Sequence, residues 1–189
     1  MDFSETSRNE AAEALLEHLR ERALRTDGPF TLRSGAIAEW YVDARQTTFD
    51  GTGARLVGAA VLAALAPEVV AVGGMTMGAD PIAVATAIAA ADAGRTLRAF
   101  SIRKEPKDHG TGGRLVGPVA AGDRVCVLED TTTTGSALIE AIDVLAEAGV
   151  DVVQALALID RSGGKVAHRL AERAIAYVAL ATPADLGVT

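Results

Sequence analysis

Thirteen residues constrain this chain more than any others: Val125-Cys126-Val127-Leu128-Glu129-Asp130-Thr131-Thr132-Thr133-Thr134-Gly135-Ser136-Ala137. They read as a short buried strand, two adjacent acids, a run of hydroxyl side chains, a glycine, and then a helix. A parallel strand covered on both faces is a continuous apolar run, and Val125 to Leu128 is one. The turn after such a strand lies at the carboxyl edge of the sheet, where open α/β folds bind ligands. Beyond Gly135-Ser136, apolar residues recur at helical spacing through Ala137, Leu138, Ala141, Ile142 and Leu145.

The residue types of that turn carry chemistry. A helix N-terminus offers unpaired N–H groups and partial positive charge, both suited to phosphate. Thr131 to Ser136 add hydroxyl donors, and Gly135 lets backbone come close. Two acids beside an anion site make sense when the ligand also carries hydroxyls or a metal. A ribose 5-phosphate fits, with hydroxyls on Glu129 and Asp130 and the phosphate on the threonine turn. The alternative is a threonine-capped helix beside two solvated acids.

The stretch resembles the signature with which type I phosphoribosyltransferases bind 5-phosphoribosyl 1-diphosphate (PRPP). It lacks the Gly-Lys-Ser/Thr of a Walker loop and the glycine spacing of a dinucleotide fingerprint. The resemblance implies an α/β fold with a central, mainly parallel sheet flanked by helices and a small N-terminal hood or flap. It also implies PRPP contacts from Glu129, Asp130, Thr131, Thr132, Thr133, Thr134, Gly135 and Ser136.

At 189 residues the chain is expected to be one domain, 1–189, with about 1–45 forming an N-terminal helix and the hood. A net charge of −7 argues for solubility and against general nucleic-acid binding, while leaving room for a local basic site. The lone cysteine, Cys126, reads as a small core residue, since no internal disulfide is open to it. No signal-like or membrane-spanning run is evident, so a cytoplasmic location without membrane contact is expected.

Residues 7–25 read as an amphipathic helix with Ala12, Leu15, Leu16, Leu19 and Ala23 on one face, His18 at the surface, and Asp27-Gly28-Pro29 as the stop. Two short strands forming a hairpin or flap follow, around Phe30–Gly35 and Trp40–Asp43. Gly53 to Leu65 reads as a helix and Val69 to Val72 as a second buried strand. The loop Gly73-Gly74-Met75-Thr76-Met77-Gly78 then leads to a helix capped by Asp80, with Pro81 early in it. Strands are expected at Leu97–Ile102, Asp151–Ile159 and Ala174–Leu180.

The run Arg103-Lys104-Glu105-Pro106-Lys107-Asp108-His109-Gly110-Thr111-Gly112-Gly113-Arg114 is either a solvated charged loop or a mobile lid whose cations close over a polyanion. It is similar to the Arg-Lys-x-x-Lys-x-His-Gly loop of orotate phosphoribosyltransferases. The segment Phe30-Thr31-Leu32-Arg33-Ser34-Gly35 and the pair Asp160-Arg161 match that family too. The resemblance spans about Phe30 to Leu180. It implies catalytic roles and PRPP contact for Arg103, Lys104, Lys107 and His109, and orotate contact for Arg161, Thr133 and Arg33. It makes Gly73 to Gly78 the pyrophosphate loop. Here there is a departure, because Thr76-Met77 stands where many members carry Tyr-Lys.

The activity so implied joins orotate to PRPP, giving orotidine 5′-monophosphate and pyrophosphate in pyrimidine biosynthesis. Mg²⁺ is expected to arrive with PRPP rather than at a dedicated ligand cluster. A homodimer is implied, with loop 103–114 completing the neighbour's site. The competing readings are a phosphoribosyltransferase for another base and a PRPP-binding regulator without catalysis.

Overall fold

The computed structural model describes residues 5–31, 35, 37–107 and 113–189. Arg33 and His109 lie outside the described residues. So do Leu32, Ser34 and residues 108–112.

The chain opens with α1 (Glu5–His18), which passes into one wider helical turn, Leu19–Ala23. Leu15, Leu19 and Ala23 are buried as their spacing requires, whereas Ala12 is exposed. The helical path ends at Ala23 rather than Arg25. Leu24 and Arg25 form β1, which pairs antiparallel with β4 (Tyr41–Val42). Nested inside that ribbon, β2 (Phe30–Thr31) pairs with β3 (Ile37–Ala38). His18 departs from its expected surface position. Its ring reaches Thr47 Oγ1 at 3.2 Å and Asp50 Oδ1 at 3.1 Å, tying α1 to the start of α3.

A short α2 (Arg45–Thr48) precedes α3 (Gly51–Ala64), whose N-cap is Asp50, with Oδ1 accepting from the Gly53 N–H at 2.9 Å. The remaining elements are β5 (Ala71–Met75), α4 (Ala79–Asp92), β6 (Arg98–Lys107), β7 (Gly113–Val116), β8 (Arg124–Thr132), α5 (Ser136–Glu147), β9 (Asp151–Asp160), α6 (Lys165–Ala171) and β10 (Ala176–Ala181). Six strands form one sheet in the order β10-β9-β8-β5-β6-β7, parallel except for β7. Helices α3 and α4 pack on one face, with α1 outside them, and α5 and α6 on the other. Cys126 is fully buried in β8, and burial raises its thiol pKa. Among the described residues no helix is long and apolar enough to cross a membrane.

Three of the differences from the sequence reading bear on the carboxyl edge of the sheet. Gly73 and Gly74 belong to β5, not to the loop after it. A Cβ on Gly74 would stand 2.1 Å from the Leu128 carbonyl, so only glycine lets β5 lie this close to β8. Residues 103–107 continue β6, so the cationic segment rises as one arm of a β6–β7 hairpin with Ser101 opposite Val116 and Lys107 opposite Gly113. Likewise β8 runs through Glu129, Asp130, Thr131 and Thr132, because Thr131 pairs with Ile159 and Thr132 with Asp160.

Candidate active site

The strand order places β5 between β6 and β8, and α4 and α5 leave on opposite faces of the sheet. That is a topological switch point, where a crevice opens at the carboxyl edge. A cleft of about 490 Å³ lies there, lined by Met75 to Gly78 after β5, Lys104 and Glu105 on β6, Glu129 and Asp130 on β8, Ala137 and Glu140 on α5, and Arg45 of α2.

The loop Thr76-Met77-Gly78 is braced from two sides. The Thr76 N–H donates to the Ile102 carbonyl at 2.8 Å. Its hydroxyl donates to Asp80 Oδ2 at 2.6 Å. Asp80 is therefore not the helix cap: α4 begins at Ala79 with Gly78 as its N-cap, and Asp80 serves the loop from the first turn. At Gly78 a Cβ would meet the Asp130 carboxylate at 2.7 Å, so the loop backbone rests against that acid.

The two acids sit differently. Asp130 Oδ1 accepts the Thr131 N–H at 2.7 Å. Glu129 is 8% exposed, and its Oε2 has no hydrogen-bond partner among the described residues. Burial, and then the adjacent Asp130, push the Glu129 carboxyl up to about 8, with Lys104 pulling the other way. A carboxyl so raised stabilises the fold while both states are protonated. That stabilisation is lost as pH climbs from about 4.5, where the unfolded carboxyl ionises, to about 8. The free protein should therefore lose melting temperature over this window, and Glu129→Gln should flatten the loss. Equal slopes for the two proteins in a pH series of thermal melts would contradict this environment.

Beyond Thr132 the chain turns through Thr133 and Thr134, both exposed, into α5. Gly135 takes φ 76°, a left-handed value suited to glycine, with Val166 where a Cβ would point. The Thr134 hydroxyl lies 2.9 Å from Ser136 Oγ, and the Thr134 carbonyl accepts from the Arg169 guanidinium of α6. The N–H groups at the start of α5, of which that of Ser136 donates to Thr134 Oγ1 at 3.4 Å, thus share one rim with three exposed hydroxyls.

Arg161 lies one strand away and does not line the cleft. Its N–H donates to the Thr132 carbonyl at 2.8 Å, and its guanidinium stacks 4.4 Å from the Trp40 ring centroid. Burial lowers its pKa. No carboxylate pairs with it among the described residues. Arg103 does not line the cleft either, whereas Lys104 lines the cleft of its own chain. Sequence reasoning missed Arg45, Glu140 and Trp40. Arg45 is held by Asp43, Nε to Oδ1 at 2.7 Å, and a lone Asp-x-Arg carries no signal that separates it from a surface ion pair.

A parallel sheet with a braced loop, a strand-borne acid pair and a hydroxyl-rich helix start at one edge defines a phosphoribosyltransferase of the type I class. No protein-family model matches the chain. An orotate phosphoribosyltransferase of Corynebacterium glutamicum is 41% identical over 187 residues, covering 98% of this chain and all of the relative. One from Streptomyces avermitilis is 46% identical over 152 residues, 80% of this chain and 83% of the relative. The Mycobacterium tuberculosis H37Rv orotate phosphoribosyltransferase superposes with a TM-score of 0.84 at 35% identity, over 95% of this chain and 99% of that one. The same enzyme solved with PRPP superposes at 0.75, with 29% identity, over 94% and 92%. The chain belongs to the orotate phosphoribosyltransferase family.

Proposed function

We propose that this cleft transfers the 5-phosphoribosyl group of PRPP to orotate, giving orotidine 5′-monophosphate and pyrophosphate. The observation that carries the reading is the convergence of Glu129-Asp130, the Thr76-Met77-Gly78 loop and Lys104 on one crevice beside the Thr133–Ser136 turn. The ribose hydroxyls meet Glu129 and Asp130, and the 5-phosphate meets the turn. Pyrophosphate lies along Thr76 to Gly78 with Lys104 opposite. Arg45 supplies the cation that Thr76-Met77 lacks. Arg161 receives the orotate carboxylate, with Thr133 nearby.

Orotate already carries a ring nitrogen able to attack, so the difficult event is breaking the ribose C1–O bond. Positive charge grows on the sugar and negative charge on the leaving pyrophosphate. Cations fixed before the reaction stabilise that separation. Lys104, Lys107, Arg103 and His109 take this role, and Glu129-Asp130 faces the cationic sugar. The hairpin excludes water from PRPP when it closes.

The donor set suits Mg²⁺: the oxygens are hard ligands, and Glu129 Oε2 lacks a partner among the described residues. Among the described residues no group of three or more His, Cys, Asp or Glu gathers to hold a metal alone. Glu129 and Asp130 would therefore share the ion with PRPP oxygens, and the ion would neutralise charge on the leaving group.

The same reading makes the protein a homodimer in which loop 103–114 completes the neighbouring site. Exposed Val84 and Ile88 on α4, beside a groove lined by Ala59, Ala85 and Ala89, offer a face for a second copy. Mixing Lys107→Ala, slow in turnover, with Arg161→Ala, weak for orotate, should restore activity at low orotate, because one site per heterodimer then holds both native residues. A mixture no more active than its parts would place each complete site within one subunit.

A further inference from the structure

Arg114 stands where three parts of the site meet. It lies on β7, the return arm of the cationic hairpin. Its Nε donates to the Arg103 carbonyl on β6 at 2.7 Å. Its guanidinium also contacts the Glu140 carboxylate of α5 and approaches Met75 Sδ at 3.8 Å. The Arg114 side chain is 21% exposed and that of Glu140 is 49% exposed.

Glu140 is the reason this contact matters. It lines the cleft beside Lys104, Glu105, Glu129 and Asp130, so the wall facing a polyanion carries four carboxylates. Glu129 is shielded by its raised pKa and Asp130 by a backbone N–H, while Glu105 is exposed and pairs with no cation among the described side chains. Glu140 has Arg114. On its other side Glu140 borders a shallow groove that also holds Asp143, Glu147, Arg169 and Ser136. There Asp143 is occupied by Arg173 at 2.5 Å and Arg169 by the Thr134 carbonyl. Arg114 is thus the cation in contact with Glu140 among the described residues.

We infer that Arg114 is a positioning residue for PRPP: it neutralises Glu140 at the cleft wall and, through the Arg103 carbonyl, fixes the strand that presents Lys104. It touches neither the sugar nor the leaving group in this account. The inference rests on the cleft being the PRPP site. Exposed ion pairs add little to folding, so the consequence falls on the ligand rather than on stability. Unmasking one carboxylate against a polyanion weakens PRPP and leaves orotate, bound at Arg161, nearly unaffected.

Steady-state kinetics on four variants test this, with circular dichroism confirming the fold of each. Arg114→Ala should raise the PRPP KM about tenfold, with the orotate KM within about twofold. Arg114→Ala combined with Glu140→Gln should recover most of that loss. Arg114→Lys, which keeps the charge, should stay near wild type. Asp130→Asn reports separately on whether PRPP occupies the cleft. If Arg114→Ala and the double variant are equally impaired, charge masking is overturned. If Asp130→Asn weakens PRPP and Arg114→Ala does not, the inference fails alone. If neither variant affects PRPP, the assignment of the cleft fails and takes the inference with it.

Discussion

Lys107→Ala is expected to lower kcat by about two to three orders of magnitude while the PRPP KM moves by less than about threefold. The reasoning runs from the hairpin. β6 continues past the apolar core to Lys107, the last residue of the strand, paired with Gly113 across the hairpin. Lys104, three residues earlier, already lines the cleft. In the proposed dimer a cation further along this arm meets the neighbouring subunit's PRPP only when the hairpin closes. Its interaction is then stronger with the departing pyrophosphate than with the ground state, and removing it costs turnover rather than affinity. Lys104→Ala should differ, losing both, because Lys104 faces the open cleft. Near-normal turnover in the Lys107 variant, measured under saturating substrates, would remove it from the catalytic set.

Arg161→Ala should raise the orotate KM on the order of a hundredfold and leave the PRPP KM nearly unchanged. Arg161 is held at both ends, by its N–H on the Thr132 carbonyl and by its guanidinium over Trp40. Trp40 is itself fixed, its Nε1 donating to the Thr189 carbonyl at 3.0 Å. A half-buried guanidinium whose pKa burial lowers, with no carboxylate beside it among the described residues, is prepared for an anionic partner. A planar carboxylate fits the guanidinium fork with two parallel hydrogen bonds. Weakened PRPP with unchanged orotate would contradict the assignment. Trp40→Ala should produce a milder version of the same orotate defect, since it removes the stacking surface and keeps the charge.

Much of the scaffold was legible because burial leaves a mark on residue type. Val125 to Leu128 could only be a strand covered on both faces, and all four are fully buried. The acid pair and the threonine turn follow it directly, so their place at the carboxyl edge was fixed by chain order. The ends of the strands were not legible. The last residues of β8 are polar because at the sheet edge only the backbone pairs, Thr131 with Ile159 and Thr132 with Asp160, and such pairing leaves no apolar signal. The outer half of β6 lacks that signal for the same reason, and reads as a charged loop. Gly73 and Gly74 read as loop residues, yet their role is close approach inside a strand.

Side-chain partnerships across the fold were hidden for a different reason. Arg114 meets Glu140 across 26 positions of sequence, and His18 meets Asp50 across 32. Each needs the packing of whole elements before the two side chains are neighbours. Trp40 over Arg161 is the same case: an aromatic residue in the hood and a cation at the end of a central strand. The chemistry of the site was legible from residue types, whereas the shielding of its charges came only with the three-dimensional arrangement.

The most direct test follows the loss of orotate absorbance in the presence of PRPP and Mg²⁺, run beside adenine, hypoxanthine and uracil as alternative bases. The account predicts consumption of orotate that requires both PRPP and Mg²⁺, with no turnover of the other three. Binding of PRPP with no turnover of any base, or turnover of a purine in place of orotate, would contradict it.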